Sequence, residues 1–554
     1  MARQNGRHVQ ITDFYPTKGM FRPGETVELR LELAGPEQKV VQGTAHLRLS
    51  HLMEPVAELE QPFVLTGGER AGITFAWTAP QARLQGYGAD LTLFDTAGQV
   101  LATTSTAFDV GVHWTLAPRY GFLCDFSPDR AGIDETLRRM SRYHINGIQF
   151  YDWQYRHDHL LPPQATFIDP LGRQLSLATT RALIEAAHRQ GMAAMPYTAV
   201  YAASPSFFHS HRDWALFDGG GNPCLFGDDF LYIMNPTPDS PWTGHLLRQF
   251  ERVLREMDFD GIHLDQYGEP RSGFDAAGDP VDLAQVLPAF INRVKDVATS
   301  VKPDAAVVFN AVKSWPPEAV AGAHQDFVYI EVWPPCTTYR DLRDVVLEAK
   351  QLSGGKPVVV AAYISPAGNL HGVLLADAIL FAHGAAHIEL GEGDGMLADP
   401  YFPKFEVMPP QVAQAVRSYY DFAVRYENLL LESADNTSEI AQRFCLEGVA
   451  AGLEQSFGTV WVIGQQKPGY QVIHLINLLG LTDGEWACPK PAPTSRRGLL
   501  ARYETATRVE RVCLASPDYD GGRWAELPFT QQGNVLRFVV PELHVWDMLI
   551  LSEQ

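Results

Sequence analysis

From about residue 118 to about 430 the chain alternates short apolar runs with stretches of helical periodicity. Strand-like runs stand at 120–123, 147–151, 192–197, 261–264, 306–310, 327–331, 357–362 and 386–390. Helical signals lie between them. Trp242, Leu246, Phe250, Val253 and Met257 recur at spacings of 4, 4, 3 and 4, one face of a helix. Residues 179–190 read as another helix, closed by Gly191. Ser127-Pro128-Asp129 has the chemistry of a helix start, ahead of a helical segment at 136–144. Eight strand-plus-helix units in roughly 300 residues predict a parallel (β/α)8 barrel.

The flanks follow a different period. Residues 27–33 alternate apolar and charged side chains, as do 45–50, and turn sequences such as Arg22-Pro23-Gly24-Glu25 and Asp95-Thr96-Ala97-Gly98 separate such runs. An immunoglobulin-like β-sandwich is expected there. After Asn428 strands return at 460–463, 471–477 and 535–540, which predicts a C-terminal β-sandwich. At 554 residues the chain exceeds what one core supports. The expected division is 1–115, 116–430 and 431–554.

Lys+Arg 44 against Asp+Glu 65 gives a formal charge of −21, which repels phosphate backbones and anionic membranes; nucleic acid and membrane are not expected as partners. The six cysteines are scattered without a CxxC pair, so reduced thiols are expected, with pairing among Cys445, Cys488 and Cys513 left open. The first residues lack the apolar core of a signal peptide, and no run approaches the length of a membrane span. As given, the chain reads as soluble and cytoplasmic, or secreted if a leader has been removed.

Polar residues at the C-terminal ends of barrel strands line the pocket of this architecture. Asp152, Asp265 and Glu331 occupy such ends, as do Tyr197, Asn310 and the Glu389/Glu392 region. The 66 positions from Asp265 to Glu331 leave room for two helix-plus-strand units, which would put both acids at one mouth. Two converging carboxylates are what glycosidic cleavage requires. Residues 152–159 add a dense polar-aromatic cluster suited to sugar rings and hydroxyls. A metal site from His157, His159, His209 and His211 lacks a recognised ligand spacing, and neither metal nor cofactor is expected. Gly391-Glu392-Gly393-Asp394-Gly395 lacks the Lys-Ser/Thr of a phosphate loop and reads as a flexible mouth loop.

Five segments in order, 118–123, 146–157, 259–265, 329–333 and 387–392, together resemble glycoside hydrolase family 66, which contains dextranases and cycloisomaltooligosaccharide glucanotransferases. The resemblance implies a retaining mechanism through a covalent glycosyl-enzyme, with Asp265 as nucleophile and Glu331 as general acid/base. Its substrate would be an α-1,6-glucan or isomaltooligosaccharide. The substrate-facing set would be Asp152, Trp153, Arg156, His157, Tyr197, His263, Asn310, Trp333 and Glu392. Hydrogen-bond donors, with His263 and Asn310 as candidates, should keep Asp265 ionised, and Trp333 should act as an apolar neighbour keeping Glu331 protonated. Carboxyl groups roughly 5–5.5 Å apart are expected.

Cyclising members of that family carry a carbohydrate-binding module inserted in the barrel region. The connections here read as ordinary in length, which favours hydrolysis over cyclisation, with a cycloisomaltooligosaccharide glucanotransferase or other α-1,6 transglycosylase as the alternative. Residues 197–205 depart from the Tyr-Asn pattern expected in the family, leaving the preferred chain length open. A non-catalytic glucan-binding protein is the alternative from another class. Oligomeric state is not set by the sequence.

Overall fold

The computed structural model describes residues 9–36, 40–431 and 438–553. Its centre is a curled sheet of eleven strands. Eight are parallel: β1 (Tyr120–Leu123), β2 (Gly147–Phe150), β3 (Ala193–Ala199), β4 (Gly261–Asp265), β5 (Ala306–Val312), β6 (Phe327–Glu331), β7 (Val358–Ala361) and β8 (Ala385–His387). They lie side by side in chain order. The run from Ala385 to Gly391 touches both edges of this array, because β8 pairs with β7 while Leu390–Gly391 pairs with β1. Two short strands, Gly395–Met396 and Glu406–Val407, extend the sheet beyond that point.

These strands are buried on both faces, which is why they read as continuous apolar runs. Alternate residues separate into two layers. Tyr120, Phe122, Met195, Val308, Tyr329 and Val359 pack together on one side, while Ile148, Phe150, Ile262, Leu264, Val307 and Phe309 pack among the helices. The helix Pro241–Glu256 buries Trp242, Leu246, Phe250 and Val253, and the Ser240 hydroxyl caps its start by accepting the Trp242 N–H.

Two local expectations are corrected. The first helix is Ile133–Ser141 and does not start at Ser127. Asp125 accepts the Ser127 N–H and the Arg130 N–H bonds to the Ser127 carbonyl, so the Ser-Pro-Asp sequence is spent on a turn. The helix enters only after Gly132, at φ 69°. The connection from β3 to β4 is also longer than expected. It carries its own three-stranded sheet (Ala202–Ala203, Leu231–Ile233, Leu225–Phe226), and β4 is followed by a hairpin, Ser272–Phe274 with Pro280–Asp282.

Ahead of the central sheet, a three-stranded and a four-stranded antiparallel sheet share one core, to which Leu29, Leu31, Phe75, Leu47, Leu91 and Phe108 contribute. In Thr26–Ala34 the buried side chains alternate as the sequence does. A six-stranded and a four-stranded sheet enclose a second core after residue 443. Buried polar contacts fasten the first unit to the central one. The Arg119 guanidinium holds Asp109 at 2.8 Å and Arg425 holds Asp90 at 2.6 Å. All six cysteines are unpaired. Among the described residues no helix is long and apolar enough to cross a membrane.

Candidate active site

A cavity of about 510 Å³ opens at the C-terminal ends of the parallel strands. Asp265 closes β4 and Glu331 closes β6, and each is only 8% exposed. Asn310, on β5 between them, ties the two together. Its amide nitrogen donates to Asp265 Oδ1 at 2.9 Å and to Glu331 Oε2 at 2.8 Å, so those oxygens lie no more than 5.7 Å apart. The two N–H bonds of an amide diverge by about 120°, which sets the acceptors about 5 Å apart.

Each acid has further donors. The Tyr197 hydroxyl, from β3, donates to Asp265 Oδ2 at 2.6 Å. Trp333 Nε1 donates to Glu331 Oε1 at 2.8 Å, and the Tyr363 hydroxyl also bonds this carboxyl. Burial dominates nonetheless. It raises Asp265 to about 7, helped by the Glu331 charge and opposed by Tyr197 and Asn310. Burial raises Glu331 as well, against its three donors. Each charge disfavours the other, so the second of the two carboxyls is harder to ionise than the first.

Tyr151, Tyr267, Tyr329, Tyr363, Tyr401 and Phe402 give the cavity an aromatic wall. Asp152 and His157 also line it. Asp152 sits at φ 54°, a conformation that costs a non-glycine residue of order 1–3 kcal/mol. Its carboxyl is raised to about 6 by burial, against Arg173 at 3.5 Å. Burial lowers His157 to about 4, leaving it a neutral donor and acceptor.

A model of glycosyl hydrolase family 66 matches residues 16–550. The chain belongs to glycosyl hydrolase family 66. It is a glycoside hydrolase by family. A cycloisomaltooligosaccharide glucanotransferase of Niallia circulans is 25% identical over 98% of this chain and 72% of its own length. A dextranase of Streptococcus salivarius is 22% identical over 92% of this chain and 73% of its own. Among solved structures, a Paenibacillus sp. cycloisomaltooligosaccharide glucanotransferase complexed with cycloisomaltoheptaose superposes with a TM-score of 0.92. The two are 25% identical over 98% of this chain and 99% of that one.

Within this family 66 chain the cavity brings together Asp152, His157, Tyr197, Asp265, Asn310, Glu331 and Trp333 from the residues the sequence singled out. Four others lie elsewhere. Trp153 is fully buried against Phe259, its indole N–H spent on the Tyr197 carbonyl. Arg156 lies over the Tyr155 ring and donates to the carbonyls of Tyr155 and Ile168. His263 is buried beneath Asp265, beside Tyr120 and Tyr329. Burial lowers it to about 3, so it is neutral and does not bond the carboxylate. Glu392 accepts from the Cys124 and Asp125 N–H groups and from Arg130, which uses its acceptors outside the cavity.

The expected mouth loop around Glu392 is accordingly a tight hairpin, Leu390–Gly391 pairing with Gly395–Met396. Trp333 is corrected too. Its N–H favours the charged form of Glu331 instead of the protonated one.

Gln149 and Gln154, given no separate role from sequence, border the cavity with buried side-chain oxygens that have no hydrogen-bond partner among the described residues. The signal for Gln149 was present, as an amide inside an otherwise apolar strand. Among the described residues one group has metal-ligand spacing: Asp377, His387 and Glu389, with ligand atoms within 4.8 Å of one another. It lies outside the cavity. His387 Nδ1 faces both carboxylates, at 3.0 and 3.3 Å, while Nε2 bonds the Ala362 carbonyl, so the three groups partner one another. The four histidines weighed as ligands do not form such a group. His209 and His211, for instance, each bond a backbone carbonyl one turn back.

Proposed function

We propose that this family 66 chain is a retaining endo-hydrolase of α-1,6-glucosidic linkages in dextran or isomaltooligosaccharides. The observation that carries the reading is the shared Asn310 nitrogen, which holds Asp265 and Glu331 about 5 Å apart in an aromatic-lined cavity. Retaining enzymes keep their carboxyl groups about 5–5.5 Å apart, and inverting ones leave 6.5–9.5 Å for a water. Asp265 is the nucleophile and Glu331 the general acid/base.

In the first step Glu331 gives its proton to the leaving O6 as the C1–O6 bond breaks and an Asp265 oxygen bonds C1. In the second, Glu331 takes a proton from water, whose oxygen displaces Asp265 from C1. Positive charge developing at C1 favours an ionised Asp265 beside a protonated Glu331. Asp152 and His157 offer polar atoms that would orient the sugar's hydroxyls. The surrounding fold is read as a closed (β/α)8 barrel over 116–430, between an immunoglobulin-like sandwich (1–115) and a second β-sandwich (431–554).

A transglycosylase, in which a sugar hydroxyl replaces water in the second step, is the second reading. It is favoured by the names of the 25% identical relatives. Against cyclisation, the alignment with the Niallia enzyme spans 702 positions while this chain has 554 residues, so that relative carries segments missing here.

Chromatography of the products formed from dextran, with Asp265→Asn as the blank, separates the readings. Linear isomaltooligosaccharides absent from the blank are expected. Cyclic products move the chain to the transferase reading, and the absence of any product from dextran and from short isomaltooligosaccharides removes both.

A further inference from the structure

A second depression, a groove of about 920 Å³, lies between the long β3–β4 connection and the hairpin that follows β4. Its lining includes His209, Arg212, Asp213, Asp218, Phe274 and Asp275. Phe274 is 37% exposed and lines the groove. Arg212 lies over the rings of Phe208 and Phe217 and makes no ion pair among the described residues, although Asp213, Asp218 and Asp275 line the same groove. The Asp213 carboxylate has no hydrogen-bond or ionic partner among the described residues either. Two aspartate-anchored turns hold the rims. Asp218 Oδ1 accepts the N–H groups of Gly220 and Asn222, and Asp275 Oδ1 those of Ala277 and Asp279.

The groove is close to the cavity. Phe217 bridges to Phe274 on one side and to Pro223 on the other, which sets the three side by side over about 10 Å. Three residues beyond Pro223, about 10 Å along the chain, Phe226 stacks on Tyr267 at 4.2 Å, and both line the cavity. Phe226 and Leu225 are themselves exposed at 43% and 46%. An open aromatic face flanked by a guanidinium and a carboxylate that make no ion pair among the described residues is the chemistry that recognises a neutral polyhydroxylated ring.

We infer that this groove is a secondary site binding a distal stretch of the same polymer chain whose cleavage is proposed above. The inference rests on that reading for the identity of the polymer. A short substrate fills the cavity without reaching the groove, so the groove contributes to polymer turnover only.

The test compares wild type with Phe274→Ala and Phe274→Ala/Asp213→Ala on dextran and on isomaltotetraose. Loss of one stacking face should lower kcat/KM on dextran about fivefold and leave isomaltotetraose within about twofold. Equal effects on both substrates, or none on either, overturn the inference. Native gels cast with dextran give an independent readout. Asp265→Asn should be retarded, and adding Phe274→Ala should lessen the retardation. If Asp265→Asn migrates as it does without dextran, the groove is not a glucan site. If retardation depends on Phe274 while wild type cleaves no dextran, the groove stands and the hydrolase reading fails.

Discussion

Asn310 is the residue on which the site's geometry depends, because one amide nitrogen spaces two carboxyls that repel each other when both are charged. Removing it with Asn310→Ala should lower kcat about a hundredfold, the cost of losing one preorganised donor, with the fold retained by circular dichroism. The remaining donors act on opposite limbs of the pH profile. Tyr197 stabilises ionised Asp265, whose pKa is raised to about 7. Tyr197→Phe raises it further, so the acid limb of kcat/KM should move to higher pH, by about one unit for a charge-assisted bond. Trp333 stabilises ionised Glu331, so Trp333→Phe raises that acid and should move the alkaline limb upward instead. A shift of the other limb in either variant would reverse the assignment of roles. Asp265, Glu331 and Asn310 were legible as polar ends of apolar strands. The partners of Asp265 were half legible: Asn310 donates as expected, whereas Tyr197 takes the place given to His263, which sits one pleat deeper, packed against Tyr120 and Tyr329.

At the scale of elements, two acids near β8 do structural work. Glu392 anchors the loop after β1 through backbone N–H groups and Arg130. Glu392→Gln breaks a buried ion pair and should cost about 3 kcal/mol in urea unfolding while leaving kcat/KM on isomaltotetraose near wild type. Asp377 is raised to about 7 by burial and by Glu389, against an ordinary value of 3.8. Its folded form therefore holds a proton more tightly than the unfolded one. The stabilisation is complete at acid pH and is lost as pH rises through about 4 towards 7. His387, raised by the two carboxylates, loses its contribution in the same direction at higher pH. Asp377→Asn removes the titration, so the melting temperature of wild type minus variant should fall from about pH 5 to pH 8. Neither acid's structural role was readable from sequence: Glu392 follows a strand end as the cavity acids do, and Asp377 lies within the apolar helix Leu370–Ala382, where only its spatial partners His387 and Glu389 account for it.

For the whole molecule, strand number and order were legible because buried parallel strands leave unbroken apolar runs while the intervening helices keep a 3.6 period. The flanking sheets were legible from period-two alternation such as that of Thr26–Ala34. The sheet and hairpin after β3 and β4 were not, because their strands are two or three residues long and too short to establish a period. Those elements build the groove beside the cavity, so the least regular part of the sequence shapes the surface next to the site. The central claim remains the pair of carboxyls acting by double displacement at one carbon. Proton NMR during the first turnovers of an isomaltooligosaccharide tests it most directly, by following the anomeric signals before mutarotation. Two displacements predict that the α-anomer of the newly formed reducing end appears first; initial accumulation of the β-anomer would contradict Asp265 as a nucleophile.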